Sequence, residues 1–145
     1  MTERTEHDDD VHEQMIVSMA QVFDLMDAHT VEAWAGLTGL QIQLVRVVAT
    51  GMRVDRQSLS TWTRTSRSAL VPSLGALLQR RILIEQLDPD GPYLTVGPGG
   101  RALLDTVRHA RTDWIREACT TARPEVDEVE LRRTIDVLRR IVDGA

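Results

Sequence analysis

Arg53, Arg56, Arg64, Arg67, Arg80 and Arg81 crowd one stretch of the chain, interleaved with Thr63, Thr65, Ser66 and Ser68. These side chains are hydrogen-bond donors with no carboxylate among them beyond Asp55. A guanidinium can donate two parallel bonds to the O6 and N7 of a guanine, and hydroxyls at a helix N-terminus suit a phosphate. Recognition of a polyanion is the chemistry such a set supports. Catalytic chemistry finds no comparable set. All 17 basic residues are arginine, so a lysine-bearing phosphate loop is excluded, and Gly97-Pro98-Gly99-Gly100 lacks the strand–loop–helix spacing of a nucleotide site. His7, His12, His29 and His109 do not form a zinc-binding spacing. No Ser-His-Asp or Cys-His arrangement can be argued from residue order. A non-enzyme without metal or cofactor is expected.

The elements that must position these arginines are legible in the periodicity. Asp55 is placed to cap a short helix with Leu59 and Trp62 inward, and Ser66 to cap the next, whose Leu70, Leu74 and Leu77 recur at helical spacing. Pro72 lies within that second helix and removes one of its hydrogen bonds, so a bend or wide turn near Ser68-Ala69 is expected. Gly75 weakens the helix by about 1 kcal/mol relative to alanine. Ile82-Leu83-Ile84 and Tyr93-Leu94-Thr95-Val96 flank an Asp90-Gly91 turn signal and predict a two-stranded ribbon. A helix-turn-helix followed by a wing has this order, and such units usually bind duplex DNA.

Charge follows the same division. Residues 1–33 carry nine acids against Arg4, residues 34–83 carry seven arginines against Asp55, and residues 84–145 carry twelve acids against nine arginines. The net charge is −5, yet the centre alone is basic, and the local field governs contact with a phosphate backbone. Arginines that only solvate a surface are the plainer reading.

With 145 residues, 42% of them apolar and 3% aromatic, the chain has the size of one domain with an aliphatic core. No apolar run is long enough to cross a membrane, and the acidic N-terminus is unlike a signal peptide, so a cytoplasmic protein is expected. Cys119 is the only cysteine and reads as a small hydrophobe within a helix. Residues 1–10 read as a flexible acidic tail and residues 11–36 as a long amphipathic helix, irregular near His29-Thr30. Residues 37–97 form the winged helix-turn-helix region, with Thr38 capping its first helix and Gly51 ending it. Residues 98–145 supply two further helices, about Arg101 to Thr121 and Val126 to Val142. The first and last helices carry apolar stripes that a two-fold dimer would bury, intrachain packing being the alternative.

Leu37-Thr38-Gly39-Leu40-Gln41, the run LSTWTRTSRSALVPSLGALLQRRIL from Leu59 to Leu83, Asp88-Pro89-Asp90-Gly91 at a wing tip, and Val96-Gly97-Pro98-Gly99-Gly100-Arg101-Ala102-Leu103 follow one another in an order that resembles the MarR family of winged-helix transcriptional regulators. The likeness spans residues 11–142. It implies a mainly α fold with a small β-wing, a winged helix-turn-helix with flanking dimerisation helices, acting on double-stranded DNA as a homodimer. The matching positions put Arg67, Ser68 and Ala69 at the major groove, with Ala69 suited to a thymine methyl and Val71 and Ser73 as secondary candidates. Thr65 and Ser66 fall to a phosphate, and Arg56 and Arg64 to backbone clamps. The family's ligand pockets imply a small aromatic or phenolic anion as effector, approached by Trp34, His29, Met52, Arg53 and Trp62, unless the tryptophans are plain core. Departures from the pattern are Arg81 in place of a glycine, Pro72 in the recognition helix, and a shorter wing whose tip has no arginine. With two acids at that tip, the wing is expected to stand off phosphates. These departures favour the alternative of a non-catalytic protein-interaction module that has lost sequence-specific DNA binding.

Overall fold

The computed structural model describes residues 3–145, with side chains from Asp10 onward. Its elements are α1 (Glu3–His29), a 3-10 turn (Val31–Trp34), α2 (Gly39–Ala49), α3 (Arg56–Thr63), α4 (Arg67–Gln79), β1 (Leu83–Asp88), β2 (Gly91–Val96), α5 (Pro98–Thr121) and α6 (Glu128–Asp143). They fall into two compact units, one of Thr30–Ala110 and one of the residues up to His29 together with Arg111–Ala145.

The Thr30–Ala110 unit is built around aliphatic side chains. Leu44, Leu59, Leu77, Leu83, Leu94, Val45 and Val54 are fully buried, and each such side chain contributes about 1.5–3 kcal/mol relative to exposure. Local signals fix where the helices start. Thr38 and Gln41 form a reciprocal capping box, the Thr38 N–H donating to Gln41 Oε1 at 2.9 Å and the Gln41 N–H to Thr38 Oγ1 at 3.2 Å. Asp55 accepts the Ser58 N–H at 2.7 Å, and Ser66 accepts the Ala69 N–H at 3.3 Å. α2 ends at Ala49 ahead of Gly51, whose φ is +80°.

α4 is continuous from Arg67 to Gln79 with Pro72 inside it. The expected wide turn near Ser68-Ala69 does not form: buried Leu70, Leu74 and Leu77 hold the helix to the core against the lost Pro72 N–H bond and the crowding of its ring on the preceding turn. Trp62 was expected inward, yet it is 56% exposed, and Thr63 is buried instead. Thr63 stands four residues after Leu59, on the same helical face.

The wing is a single antiparallel ribbon in the register Leu83↔Val96 to Asp88↔Gly91. Val54 adds a bridge on Leu94, with the Leu94 N–H donating to the Val54 carbonyl at 2.7 Å. The turn from β2 into α5 needs glycine for close approach. A Cβ on Gly97 would lie 2.3 Å from the Arg81 carbonyl oxygen, and one on Gly100 2.1 Å from that of Ile82. Arg81 has φ +55°, the left-handed conformation that a glycine would adopt without steric cost.

The second unit contains α1, α6 and the part of α5 from Arg111. α1 starts at Glu3, eight residues before the expected Val11, and no glycine or proline interrupts residues 3–29. Of the segment 1–10 expected as a flexible tail, Met1 and Thr2 lie outside the described residues, and the backbone from Glu3 is helical. α1 ends at His29, where irregularity was expected. Asp127 and Glu130 form a second capping box at the start of α6. Asp27 and Arg111 pair at 2.5 Å. Among its described residues not one is buried, and Ile16, Phe23, Val129 and Ile141 are all more than half exposed.

Candidate nucleic-acid interface

Arg67 opens α4, and Arg67, Ser68 and Ala69 are all exposed on its first turn. Ser66 and Ser68 bring their hydroxyls within 3.1 Å of one another. Thr65 is half-buried, and its hydroxyl donates to the Thr63 carbonyl. The turn between α3 and α4 is made by Arg64, which caps α3 at φ +51° and is exposed. The two secondary candidates differ: Val71 is 63% exposed, whereas Ser73 is half-buried.

From Arg56 to Ile84 the chain carries five arginines and no acid. Arg56, expected as a backbone clamp, donates its Nε to Glu85 of β1 at 2.9 Å and so ties α3 to the wing. Among the described residues Arg64, Arg67, Arg80 and Arg81 make no ion pair, and all four are exposed. Four uncompensated guanidinium groups on one acid-free helical pair make a local field favourable to phosphate despite the negative total.

The wing is held by its own charge pair. Arg53 donates to both oxygens of the Asp88 carboxylate, one bond being 2.9 Å, and to the Gly91 carbonyl at 3.0 Å. Its guanidinium lies 4.5 Å from the centroid of the Tyr93 ring. The Tyr93 hydroxyl donates to Gln86 Oε1 at 2.9 Å. The bond from Arg53 holds the Asp88 carboxyl below the usual carboxylate range, and the same bond raises Arg53. Asp55 is lowered too, chiefly by the Ser58 backbone N–H. Of the two tip acids expected to make the wing stand off phosphates, Asp88 has its charge compensated by Arg53. At the tip the most exposed large apolar side chain is Leu87, at 80%.

The residues expected around an effector are placed as follows. Trp34 is buried at 4%, with Arg46 lying 5.4 Å over its ring, so it is a core residue. Arg53 lines a cleft of about 410 Å³ with Val48, Met52, Asp88, Tyr93 and Thr95, which Trp34 and Trp62 do not line. In the other unit His29 Nδ1 lies 2.8 Å from the Leu25 carbonyl oxygen, and its ring centroid is 6.1 Å from that of Trp114. Trp114, the Arg53–Asp88 pair and the Arg56–Glu85 pair escaped the sequence reading. The only advance signal was a pair of acids, Glu85 and Asp88, on the first strand of a ribbon whose second strand carries none. Among the described residues no three His, Cys, Asp or Glu side chains gather as metal ligands, and no helix is long and apolar enough to cross a membrane.

No family model matches the chain, and no curated protein matches it. Solved structures do. A transcriptional regulator of Thermotoga maritima superposes with a TM-score of 0.74 at 12% identity, over 91% of this chain and 94% of that one. A MarR-family transcriptional regulator of Silicibacter pomeroyi gives 0.55 at 13% identity, over 87% and 86%. Staphylococcus aureus MarR, solved in complex with salicylate and kanamycin, gives 0.60 at 14% identity, over 95% and 91%. At these identities the likeness is one of fold. The chain has the mainly α winged-helix fold of MarR-family transcriptional regulators, with a two-stranded wing.

Proposed function

We propose that the protein is a sequence-specific duplex-DNA-binding transcriptional regulator that acts as a homodimer. The observation that carries this reading is the first turn of α4, where Arg67, Ser68 and Ala69 stand exposed beside Arg64 on a stretch with no acid from Arg56 to Ile84. A helix inserted into the major groove reads base edges with such N-terminal residues, while flanking arginines hold phosphates. Dimerisation is supported by the α1–α6 unit, whose described residues form no buried core although many are large and apolar. A second copy would give those side chains a partner and set two recognition helices at paired half-sites.

The test is selection from a pool of random duplexes, followed by titration of the selected duplex against salt. Enrichment of one two-fold symmetric sequence, with affinity falling steeply as salt rises, is the expected result. Equal binding of all duplexes would reject sequence reading.

Release by a small aromatic or phenolic anion, making the protein a repressor, extends this reading. It is supported by the fold likeness to a protein solved with salicylate. Titrating salicylate against the preformed DNA complex tests it, and undiminished binding at saturating ligand removes it. The competing reading is a winged-helix dimer serving as a protein-interaction module. The exposed Trp62 and Val71 favour it, and failure of the duplex selection would establish it as the better reading.

A further inference from the structure

Between Ala69 and Gly75 the exposed positions of α4 are all apolar, which is unusual for a surface proposed to meet DNA. Away from the buried Leu70, Leu74 and Leu77, the exposed positions along the helix after Arg67 are Ser68, Ala69, Val71, Pro72 and Gly75, with Gln79 two turns beyond Pro72. Pro72 and Gly75 are the two residue types least suited to a helix interior. Neither is explained by packing within the chain. Gly75 has open space around it, since a Cβ there would meet nothing within 4 Å, and Pro72 is exposed. A missing side chain and a flat pyrrolidine ring on one face allow close approach by another surface.

The charge around this face selects the occupant. Arg64 and Arg67 stand at its N-terminal end and Arg80 and Arg81 beyond its C-terminal end, all exposed, with no acid anywhere in α3 or α4. An apolar strip bracketed by uncompensated cations fits a polyanion that presents apolar groups between its phosphates. Duplex DNA does this in one place, the C5-methyl of thymine in the major groove. The exposed face offers no carboxylate, and its one amide, Gln79, lies two turns beyond Pro72, so nothing beside Val71 and Pro72 suits the adenine or cytosine edges. Val71 lies four residues after Arg67, about 6 Å along the axis, or roughly two base-pair steps.

We propose that Val71 and Pro72 are specificity-determining residues that read thymine methyl groups, within about two base pairs of a guanine read by Arg67. The inference rests on the duplex-binding reading above and names what that site recognises.

The experiment uses the full chain and the duplex selected from the random pool. Each thymine of the half-site is replaced in turn by deoxyuridine, which lacks only the methyl group. At one position per half-site, affinity should fall about four-fold, the value of one buried methyl, with the salt dependence unchanged. Val71→Ala, at a residue 63% exposed, should bring that ratio close to one, with its fold unchanged by circular dichroism. Equal affinity for thymine and deoxyuridine duplexes overturns the methyl reading and leaves sequence-specific binding standing. A ratio that persists in Val71→Ala overturns the assignment to this face. Selection of no duplex at all overturns the regulator reading and this inference with it.

Discussion

Arg53 and Asp88 stand 35 residues apart in sequence and form a two-pronged ion pair, one of its bonds 2.9 Å long, which fastens the tip of the wing to the segment before α3. The pair is partly exposed, so water screens it and its strength depends on the state of the carboxyl. Asp88 is held below the usual carboxylate range in the folded chain. A group lowered on folding contributes stability above its unfolded value, and that contribution is lost as pH falls through the folded value. Asp88→Asn should therefore be less stable than the parent at neutral pH, with the two converging in acid. Urea midpoints from about pH 7 to about pH 2 measure this. Asp55, also lowered, stays in both proteins, so the variant keeps part of its acid sensitivity. A difference that grows in acid would contradict the staple.

Because Arg53 compensates Asp88, Asp90 is the tip acid whose charge has no such partner in the pair. Asp90→Asn alone should tighten binding to random duplex slightly at low salt and leave the preferred sequence unaltered. A changed preferred sequence would show that the wing reads bases.

Two glycines of the Thr30–Ala110 unit should respond oppositely to alanine. At Gly75 the added Cβ meets open space, and the gain in helix propensity should raise stability by about 1 kcal/mol. At Gly100 the Cβ would sit 2.1 Å from a backbone carbonyl oxygen, and the overpacking should cost about 1–3 kcal/mol or more. Thermal unfolding of both variants checks the sign. Arg81→Gly belongs with the first, since it relieves a left-handed arginine at φ +55°.

The sequence carried the fold because its punctuation is local. Thr38, Asp55 and Ser66 each cap a helix through a bond to a residue three positions on, and Asp90-Gly91 closes a hairpin between adjacent strands. Features set by distant partners were not legible. Val54 pairs with Leu94 through a single bridge too short to have a period, and Arg56 meets Glu85 only once α3 and β1 are side by side. Leu59 at three and four residues' spacing allows either Trp62 or Thr63 inward, and the core takes the smaller residue. Within the Thr30–Ala110 unit Arg53 and Met52 line a cleft that Trp34 and Trp62 do not, because type and order say nothing of which side chain an ion pair or the core will claim.

Arg67 and Arg64 should separate base reading from backbone contact. Arg67→Ala is expected to cost about 1–3 kcal/mol on the selected duplex and to relax preference at one position. Arg64→Ala, at the exposed turn before α4, should weaken all duplexes alike and lower the salt slope by about one. Unchanged affinity of Arg67→Ala for the selected duplex would reject its role.

A dimer is expected because none of the described residues of the α1–α6 unit is buried. A lone surface substitution on a monomer changes stability by about 0.5 kcal/mol or less. Ile16 and Phe23 are 64% and 58% exposed on α1, so in a monomer Ile16→Glu with Phe23→Glu would be nearly silent. If a second copy covers that stripe, the same changes bury two charges without partners, and the dimer dissociates. Sedimentation of the parent should give twice the 16.3 kDa chain mass, and the double variant should shift to one chain mass with its Thr30–Ala110 unit still folded by circular dichroism. Loss of the second half-site contact should then weaken binding to the symmetric duplex far more than binding to a single half-site. A parent sedimenting at one chain mass at micromolar concentration removes the dimer from the proposal.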